Sequence, residues 1–148
     1  MLRDLLKEQG PVVTVEPDAK VAEVCRLMEQ KNVGTVLVLT GGKPRGILTD
    51  RDIVIRCLAK NIDVDDCTVE NIMTESIETC RDDEGVFDCI EKMRKAGVRR
   101  IPVVGRSDGK VIGVVSFGDF VRILAKELNV LVERTTAEPG KFGRKAAA

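Results

Sequence analysis

The chain has 148 residues, 43% of them hydrophobic, so it is long enough to bury a substantial core. Its 24 basic and 24 acidic residues balance, which argues against a nucleic-acid-binding surface. The sequence has no run of 18 apolar residues, which argues against a membrane-spanning helix. The chain contains no histidine, the side chain that most often serves as general base or as a near-neutral pH switch. Composition therefore argues against an enzyme.

The five cysteines form no CxxC pair, and no histidine is present to complete a mixed metal site. Cys25 and Cys89 fall on predicted apolar helix faces, where a thiol packs as a small hydrophobic side chain. We therefore expect reduced thiols, no metal, no required cofactor and a cytoplasmic protein.

The sequence repeats itself, so the predicted elements come in two sets. An offset of 65 residues aligns Thr14 with Thr79 and continues through the first helix and the strand after it. The second hairpin loop is two residues longer, and the offset then becomes 67. The pairs at this second offset include Gly46 with Gly113, Thr49 with Ser116, and Asp52 with Asp119.

Each copy predicts the order β-α-β-β-α. After a lead-in turn at residues 2–6, the first copy predicts a strand at 12–15, a helix ending at Asn32, hairpin strands at 35–39 and 45–48, and a helix at 50–59. After a matching turn at 69–73, the second copy predicts a strand at 77–80, a helix ending at Gly97, hairpin strands at 100–104 and 111–115, and a helix at 117–128. Asp18 and Asp83 are predicted N-caps. Asn32 and Gly97 are predicted left-handed C-caps.

A single copy of about 60 residues buries too little surface to be stable alone. We expect an α/β fold of the α+β type, in which the two repeats pack sheet to sheet with pseudo-twofold symmetry. We place the first repeat at residues 1–62, the second at 63–130 and a flexible tail at 131–148.

The sharpest local signal is a Gly-x-x-Thr/Ser-x-x-Asp stretch that closes the last strand of each copy. It puts a hydroxyl and a carboxylate three residues apart, at Thr49 and Asp52 and again at Ser116 and Asp119. One interpretation is a helix capping box. The other is a ligand site, in which the helix N-terminus and hydroxyl meet a phosphate while the carboxylate accepts from a ribose diol. The two interpretations are compatible, and the glycine is expected to let a flat ring approach the backbone.

Over about residues 1–130 the chain resembles a tandem pair of CBS (cystathionine β-synthase) domains, the Bateman module. The resemblance rests on three short motifs and on the two Gly-x-x-Thr/Ser-x-x-Asp stretches. The three motifs are Thr14-Val15-Glu16-Pro17-Asp18, Asn71-Ile72-Met73-Thr74 and Arg100-Ile101-Pro102-Val103-Val104. The resemblance implies binding of AMP, ADP or ATP, or else of NAD or S-adenosylmethionine, in clefts between the repeats.

The resemblance also implies roles for individual residues. Asp52 and Asp119 would hold the ribose, while Thr49 and Ser116 would face ribose or phosphate. Thr14 and Thr79 would border the adenine. Further candidates are Arg51, Arg99 and Arg100 as phosphate ligands and Ile101 as an apolar wall.

The leading hypothesis is a regulatory adenosine-nucleotide sensor that is not an enzyme and whose ligand shifts the geometry of a homodimer. Apolar residues on the closing helices, Ile53, Val54, Phe120 and Ile123, are the candidates for the dimer contact. The alternatives are a structural or partner-binding adaptor with unoccupied clefts and a small nucleotide hydrolase, against which the missing catalytic clusters argue. The sequence identifies neither the ligand of each cleft nor a target protein.

Overall fold

The computed structural model describes residues 2–7 and 11–136 and has a mixed α/β fold. Its helices and strands follow in this order: α1 (Leu2–Leu6), β1 (Thr14–Val15), α2 (Val21–Lys31), β2 (Thr35–Thr40), β3 (Lys43–Thr49), α3 (Asp50–Arg56), β4 (Thr74–Glu75), β5 (Cys80–Arg81), α4 (Val86–Ala96), β6 (Arg100–Val104), β7 (Val111–Ser116) and α5 (Phe117–Thr136). Short 3-10 turns at Leu58–Lys60 and Val69–Asn71 precede β4. The predicted order β-α-β-β-α is confirmed in both copies.

The strands form two sheets. The first has the order β1-β2-β3-β4 and the second the order β5-β6-β7. In each sheet the opening strand runs parallel to the strand that follows the helix, as Thr14 pairs with Leu37 and Cys80 with Val103. Strand β4 belongs to the second copy by sequence but pairs antiparallel with β3 of the first. The second copy therefore contributes the last strand of the first sheet.

Both predicted C-caps are confirmed. Asn32 ends α2 with φ 51° and Gly97 ends α4 with φ 66°, both in the left-handed region. In each case the cap amide donates to carbonyls of the last helical turn. The C-terminal ends of the two equivalent helices are thus set by local chemistry.

Both predicted N-caps are wrong. The N-cap residues are Lys20 and Gly85, two residues after Asp18 and Asp83, and neither caps through its side chain. At α2 the amides of Val21 and Ala22 donate instead to backbone carbonyls of Cys67 (2.9 Å) and Val64 (3.1 Å). Both acceptors lie in residues 61–67, the connector between the two copies. The connector therefore satisfies the N–H groups that a capping side chain would otherwise satisfy.

In the first copy the interior is one cluster of buried apolar side chains. It draws on α2, β2, β3, α3 and the segment that leads into the second copy: Val21, Val24, Met28, Val36, Val38, Leu48, Ile53, Cys57, Cys67, Val69, Ile72 and Met73. The amide of Val111 also donates to the carbonyl of Gly42 (2.9 Å), which joins the hairpins of the two copies. Residues of both copies thus share a hydrogen-bonded and apolar framework.

The chain divides into two compact units, with residues up to Val115 in the first and residues from Ser116 in the second. In the second unit α5 runs to Thr136, eight residues beyond the predicted end at 128. Residues 131–136 are therefore helical and not part of a tail, and residues 137–148 lie outside the described part. Conversely, α3 ends at Arg56, short of the predicted residue 59. Within residues 2–7 and 11–136, no helix combines the length and apolar character needed to span a bilayer.

Candidate functional site

The first copy closes with a hydroxyl and a carboxylate that hold each other across the start of α3. Thr49 Oγ1 accepts from the amide of Asp52 (3.1 Å), and Asp52 Oδ2 accepts from the amide of Thr49 (3.1 Å). This is a complete capping box. We name Thr49 and Asp52 the first corner. Its capping interpretation is confirmed.

Ser116 and Asp119, which we name the second corner, repeat this arrangement at the start of α5. Asp119 Oδ2 accepts from the amide of Ser116 (2.7 Å) and from its hydroxyl (2.6 Å), while the amide of Asp119 donates to Ser116 Oγ (3.3 Å). The same reciprocal geometry therefore occurs in both copies, although one hydroxyl comes from threonine and the other from serine.

Capping does not exhaust the hydrogen-bonding capacity of these carboxylates. An ionised carboxylate has about four acceptor positions on its two oxygens. In Asp52 the backbone bond uses Oδ2, while Oδ1 lies 3.5 Å from Arg56 Nη2. The side chains of Asp52 and Asp119 remain 17% and 15% exposed. Asp52 therefore has acceptor capacity beyond its cap, whereas Asp119 already uses Oδ1 for Arg122 and Oδ2 for the amide and hydroxyl of Ser116.

Arg56 is a neighbour of the first corner that the sequence reasoning missed. Besides its ion pair with Asp52, its Nη1 donates to the carbonyl of Ile72 (2.9 Å) and to Thr74 Oγ1 (3.2 Å). Arg56 thus connects the first corner to the segment that leads into the second copy. Arg122 pairs with Asp119 in the second corner. The signal was present, because acid and base three or four residues apart on a helix face each other.

The first corner carries a second carboxylate. The amide of Asp50 donates to the carbonyl of Gly34 (3.0 Å), and a β-carbon at Gly34 would lie 2.7 Å from Asp50 Oδ2. Strand pairing places Thr35 opposite Thr49. Gly34, which aligns with Arg99 of the second copy, is therefore next to the corner and in close contact with the Asp50 carboxylate.

The other predicted site residues lie on separate strands and differ in exposure. Thr14 is exposed on β1, and half-buried Thr79, which directly precedes β5, accepts from Lys92 Nζ through its carbonyl (3.1 Å). The three predicted phosphate ligands, Arg51, Arg99 and Arg100, are all exposed. Ile101 is fully buried.

The glycines before the two corners have a different role from the predicted one. A β-carbon at Gly46 would lie 2.6 Å from the carbonyl oxygen of Thr74 and 2.8 Å from Met73 Sδ. At Gly113 it would lie 2.5 Å from Leu6 Cδ2. The close approach that these glycines permit is to the lead-in segment of the other copy. The expectation that a flat ring approaches this backbone stays a prediction.

A cavity of about 320 Å³ lies between β1 and α2. It is lined by Val15, Ala19, Glu23, Val24, Arg26, Leu27 and Gln30. None of the predicted site residues is among them. The corners are identified by their hydrogen-bonding groups and contribute no residue to this cavity.

Comparison with known proteins adds the family to this geometry. The family model described as CBS domain matches the chain twice, over residues 2–58 and 69–126. The two matches contain the first and the second corner, respectively.

Curated relatives include proteins of archaea and bacteria. The CBS domain-containing protein YhcV of Bacillus subtilis is 32% identical over 73% of this chain and 75% of its own length. An uncharacterised protein of Methanopyrus kandleri, MK0525, is 29% identical over 76% of this chain. The match spans 57% of that protein, less than two thirds of its length.

Solved structures with the same fold include three CBS proteins. A putative signal-transduction protein with CBS domains from Burkholderia ambifaria matches with a TM-score of 0.73, 27% identity and coverage of 85% of this chain and 94% of the other. The CBS domain protein PAE2072 from Pyrobaculum aerophilum, complexed with AMP, matches at 0.71 with 28% identity, covering 87% and 98%. The CBS domain pair of protein MJ0100, in complex with 5-methylthioadenosine and S-adenosyl-L-methionine, matches at 0.70 with 28% identity, covering 85% and 96%.

Proposed function

The chain belongs to the CBS domain family as a tandem pair, and on that premise we propose that it is a regulatory module that binds adenosine-containing ligands and is not an enzyme. The observation that carries the proposal is the duplicated corner, in which a hydroxyl and a carboxylate are held together three residues apart. Two solved neighbours hold AMP or S-adenosyl-L-methionine, which supports the ligand class.

Each corner offers the groups that an adenosine ligand requires. Asp52 and Asp119 accept from the two hydroxyls of a ribose in exchange for their ion pairs with Arg56 and Arg122. Thr49 and Ser116 stand beside them and face ribose or phosphate, although the Ser116 hydroxyl already donates to Asp119 Oδ2. Thr14 and Thr79 border the adenine, and the exposed guanidinium groups of Arg51, Arg99 and Arg100 are the candidates for a phosphate.

The two corners differ in charge, and we infer that they prefer different ligands. In the first, Asp50 adds a second carboxylate beside Gly34. This negative charge opposes an anionic phosphate, so the first corner suits the nucleoside part of a ligand, including a cationic one such as S-adenosylmethionine. In the second copy the uncharged Phe117 stands where Asp50 stands in the first. This substitution favours nucleotides with phosphates.

Arg56 offers a way for the ligand to act on the protein. A ribose bound at Asp52 competes with Arg56 for Oδ1, and Arg56 also holds Ile72 and Thr74. A ligand shifts a conformational equilibrium only through its different affinity for the two states. We propose that the two states differ in the ion pair of Arg56 with Asp52, which is intact without ligand and released when the ligand binds.

We also propose that the module acts as a homodimer through α5. This helix carries exposed apolar side chains at alternating spacings of four and three residues: Phe117, Val121, Leu124, Leu128 and Leu131. Such spacing gives one apolar stripe that pairs with an identical helix. Two of the residues predicted for the contact, Ile53 and Phe120, are buried instead (5% and 1% exposed).

A thermal-shift screen of the whole chain with AMP, ATP, NAD, S-adenosylmethionine and UMP tests the function. At 100 times its Kd, a ligand stabilises the fold by about 2.7 kcal/mol. We expect shifts with adenosine compounds and none with UMP. Equal shifts with UMP and AMP would contradict adenosine recognition. No shift with any compound would favour an adaptor with unoccupied clefts, and turnover of a bound nucleotide would favour an enzyme.

A further inference from the structure

Two thiols of the second copy lie side by side in its interior. Cys80 Sγ donates to Cys89 Sγ at 2.7 Å, and both residues are fully buried. Cys80 lies on β5 and Cys89 on α4, nine residues apart in sequence. Both are free thiols in this structure. Their separation is well below the normal packing distance of two unbonded sulfur atoms.

The first copy shows that this interior position does not require thiols. The offset of 65 residues places Val15 and Val24 at the positions equivalent to Cys80 and Cys89. These valines occupy the same elements, β1 and α2, and line one cavity together. A pair of apolar side chains therefore suffices for the fold of a repeat. The second copy has a thiol at both positions.

We propose that Cys80 and Cys89 form a reversible intramolecular disulfide in the folded protein when a hydroperoxide is the oxidant. A disulfide has an S–S length of about 2.0 Å, so the two sulfur atoms need to approach by only a fraction of their present separation. The described residues contain no cluster of three or more His, Cys, Asp or Glu side chains able to hold a metal ion.

The hydrogen bond between the thiols assigns their roles. It lowers the pKa of Cys89, which accepts it, and raises the pKa of Cys80, which donates it; burial further raises the pKa of Cys80. The Cys89 thiolate attacks one oxygen of the peroxide, which becomes the sulfenic acid oxygen while hydroxide leaves. Cys80 then attacks the Cys89 sulfur, the S–O bond breaks, and the hydroxyl departs as water with the proton of Cys80. Two thiols and one hydrogen peroxide thus give one disulfide and two waters.

The oxidant reaches the buried pair through β5. This strand has two residues and lies at the edge of its sheet, paired only with β6. Short edge elements open locally at lower free energy than a core does. Hydrogen peroxide is small enough to use such an opening, which makes it the appropriate probe.

The disulfide would fix β5 to α4 and close a short loop through the turn between them. Such a crosslink stabilises a fold mainly because it restricts the unfolded chain. Thr79 directly precedes Cys80, and its carbonyl already accepts from Lys92 on α4. Oxidation would therefore also fix the backbone beside one of the proposed ligand-binding residues.

Peptide mapping of the native whole chain tests the proposal directly. Reduced protein is treated with hydrogen peroxide, denatured with N-ethylmaleimide to block remaining thiols, digested without reductant and analysed by mass spectrometry. We expect Cys80 and Cys89 in one linked peptide pair that dithiothreitol separates, with Cys25, Cys57 and Cys67 alkylated. The proposal is overturned if both cysteines are alkylated, if either is linked to a different cysteine, or if either ends as an unlinked sulfinic acid.

Valine is the replacement used in the control variants, because the first copy has valine at both equivalent positions. In C80V and in C89V the remaining thiol has no partner, so peroxide should give no linked peptide at position 80 or 89 in either variant. Peroxide should raise the Tm of the wild type by about 5 °C or more and leave that of C80V/C89V unchanged. An equal Tm shift in the double variant would overturn the proposal, and the mapping of wild-type protein decides the matter even if a variant fails to fold. Neither result depends on nucleotide binding, so failure here is distinguishable from failure of the proposed function.

Discussion

Gly46 faces the backbone of Thr74 so closely that a β-carbon on Gly46 would lie 2.6 Å from the Thr74 carbonyl oxygen. The contact occurs where β3 of the first copy pairs with β4 of the second. A backbone atom cannot move aside without breaking that pairing. The position is therefore closed to any side chain.

We predict that G46A destabilises the protein by about 2 kcal/mol or more, because overpacking of this kind costs roughly 1–3 kcal/mol. G113A should cost less, since the atom in its way is the terminal carbon of the flexible Leu6 side chain, at 2.5 Å. Urea unfolding measures both values. G118A is the control, because its β-carbon would meet only Ser116 Oγ at 3.7 Å. If G46A were as stable as G118A, the close packing of the lead-in segment against β3 would be wrong.

Local signals predicted the helices and strands well. Periodicity and β-branched residues located both hairpins, and Asn32 and Gly97 marked the C-terminal ends of their helices because a left-handed cap is a property of one residue. The N-terminal ends were wrong because the α2 donors are satisfied by Val64 and Cys67, more than forty residues away. Asp83, the other proposed cap, pairs with Arg106 across the chain instead (3.2 Å). Partners at such distances leave no local pattern.

The corners were predictable because their hydrogen bonds are local. Thr49 and Asp52 interact across three residues, and that spacing is visible in the sequence. The pairing of Cys80 with Cys89 was missed because spacing alone does not bring a strand residue into contact with a helix residue nine positions later. The repeat contained the missing signal, since both cysteines align with valines of the other copy.

The ion pair of Glu84 with Lys92 predicts a pH dependence of stability. Lys92 Nζ lies 2.8 Å from Glu84 Oε2, and Glu84 is 16% exposed. Although burial opposes it, the hydrogen bond from Lys92 lowers the pKa of Glu84 below its ordinary 4.5. The stabilisation is therefore present above pH 4.5 and is lost as the pH falls through the lowered pKa. The hydrogen bond to Glu84 raises the pKa of Lys92 above its ordinary 10.5. On the alkaline side the stabilisation is therefore present below pH 10.5 and is lost as the pH rises through the raised pKa of Lys92.

E84Q should accordingly lower the free energy of unfolding by about 1 kcal/mol at pH 7, with the difference closing at acidic and strongly alkaline pH. Denaturant unfolding across the pH range measures this. E91Q is the control on the same segment, because Glu91 pairs with Arg94 on an exposed face and should have little effect. A pH-independent difference for E84Q would show that its charge is not the cause.

Two neighbouring carboxylates allow a sharp test of the ribose assignment. D52N should weaken adenosine-ligand binding by about tenfold or more, because a charged hydrogen bond worth roughly 1.5–3 kcal/mol is lost. D50N removes the same charge from the same corner but should not weaken binding, and should strengthen binding of a phosphate-bearing ligand there. Isothermal titration with AMP and with S-adenosylmethionine measures both. If D52N and D50N changed the ligand affinity in the same direction, the effect would be electrostatic and the diol assignment to Asp52 would be wrong.

The second corner should respond in the same way, with D119N weakening binding by about tenfold. Asparagine keeps an oxygen acceptor for the cap at Ser116, so helix α5 should persist, as circular dichroism can verify. Unchanged affinity in both D52N and D119N would remove the diol assignment from both corners. Family membership would be unaffected by that result.

The exposed stripe of α5 leads to a prediction about assembly. Leu124 and Leu128 are 52% and 61% exposed, and burial of such side chains against a second copy would stabilise a dimer. L124K should raise the dimer Kd at least about tenfold, because an unpaired charge is costly to bury. N129K places the same lysine at an exposed position about 120° around the helix from the middle of the stripe and should leave the dimer intact. Sedimentation equilibrium measures both constants. A dimer that tolerates L124K as well as N129K would mean that α5 does not form the interface, whereas a monomeric wild type at high concentration would contradict the dimer itself.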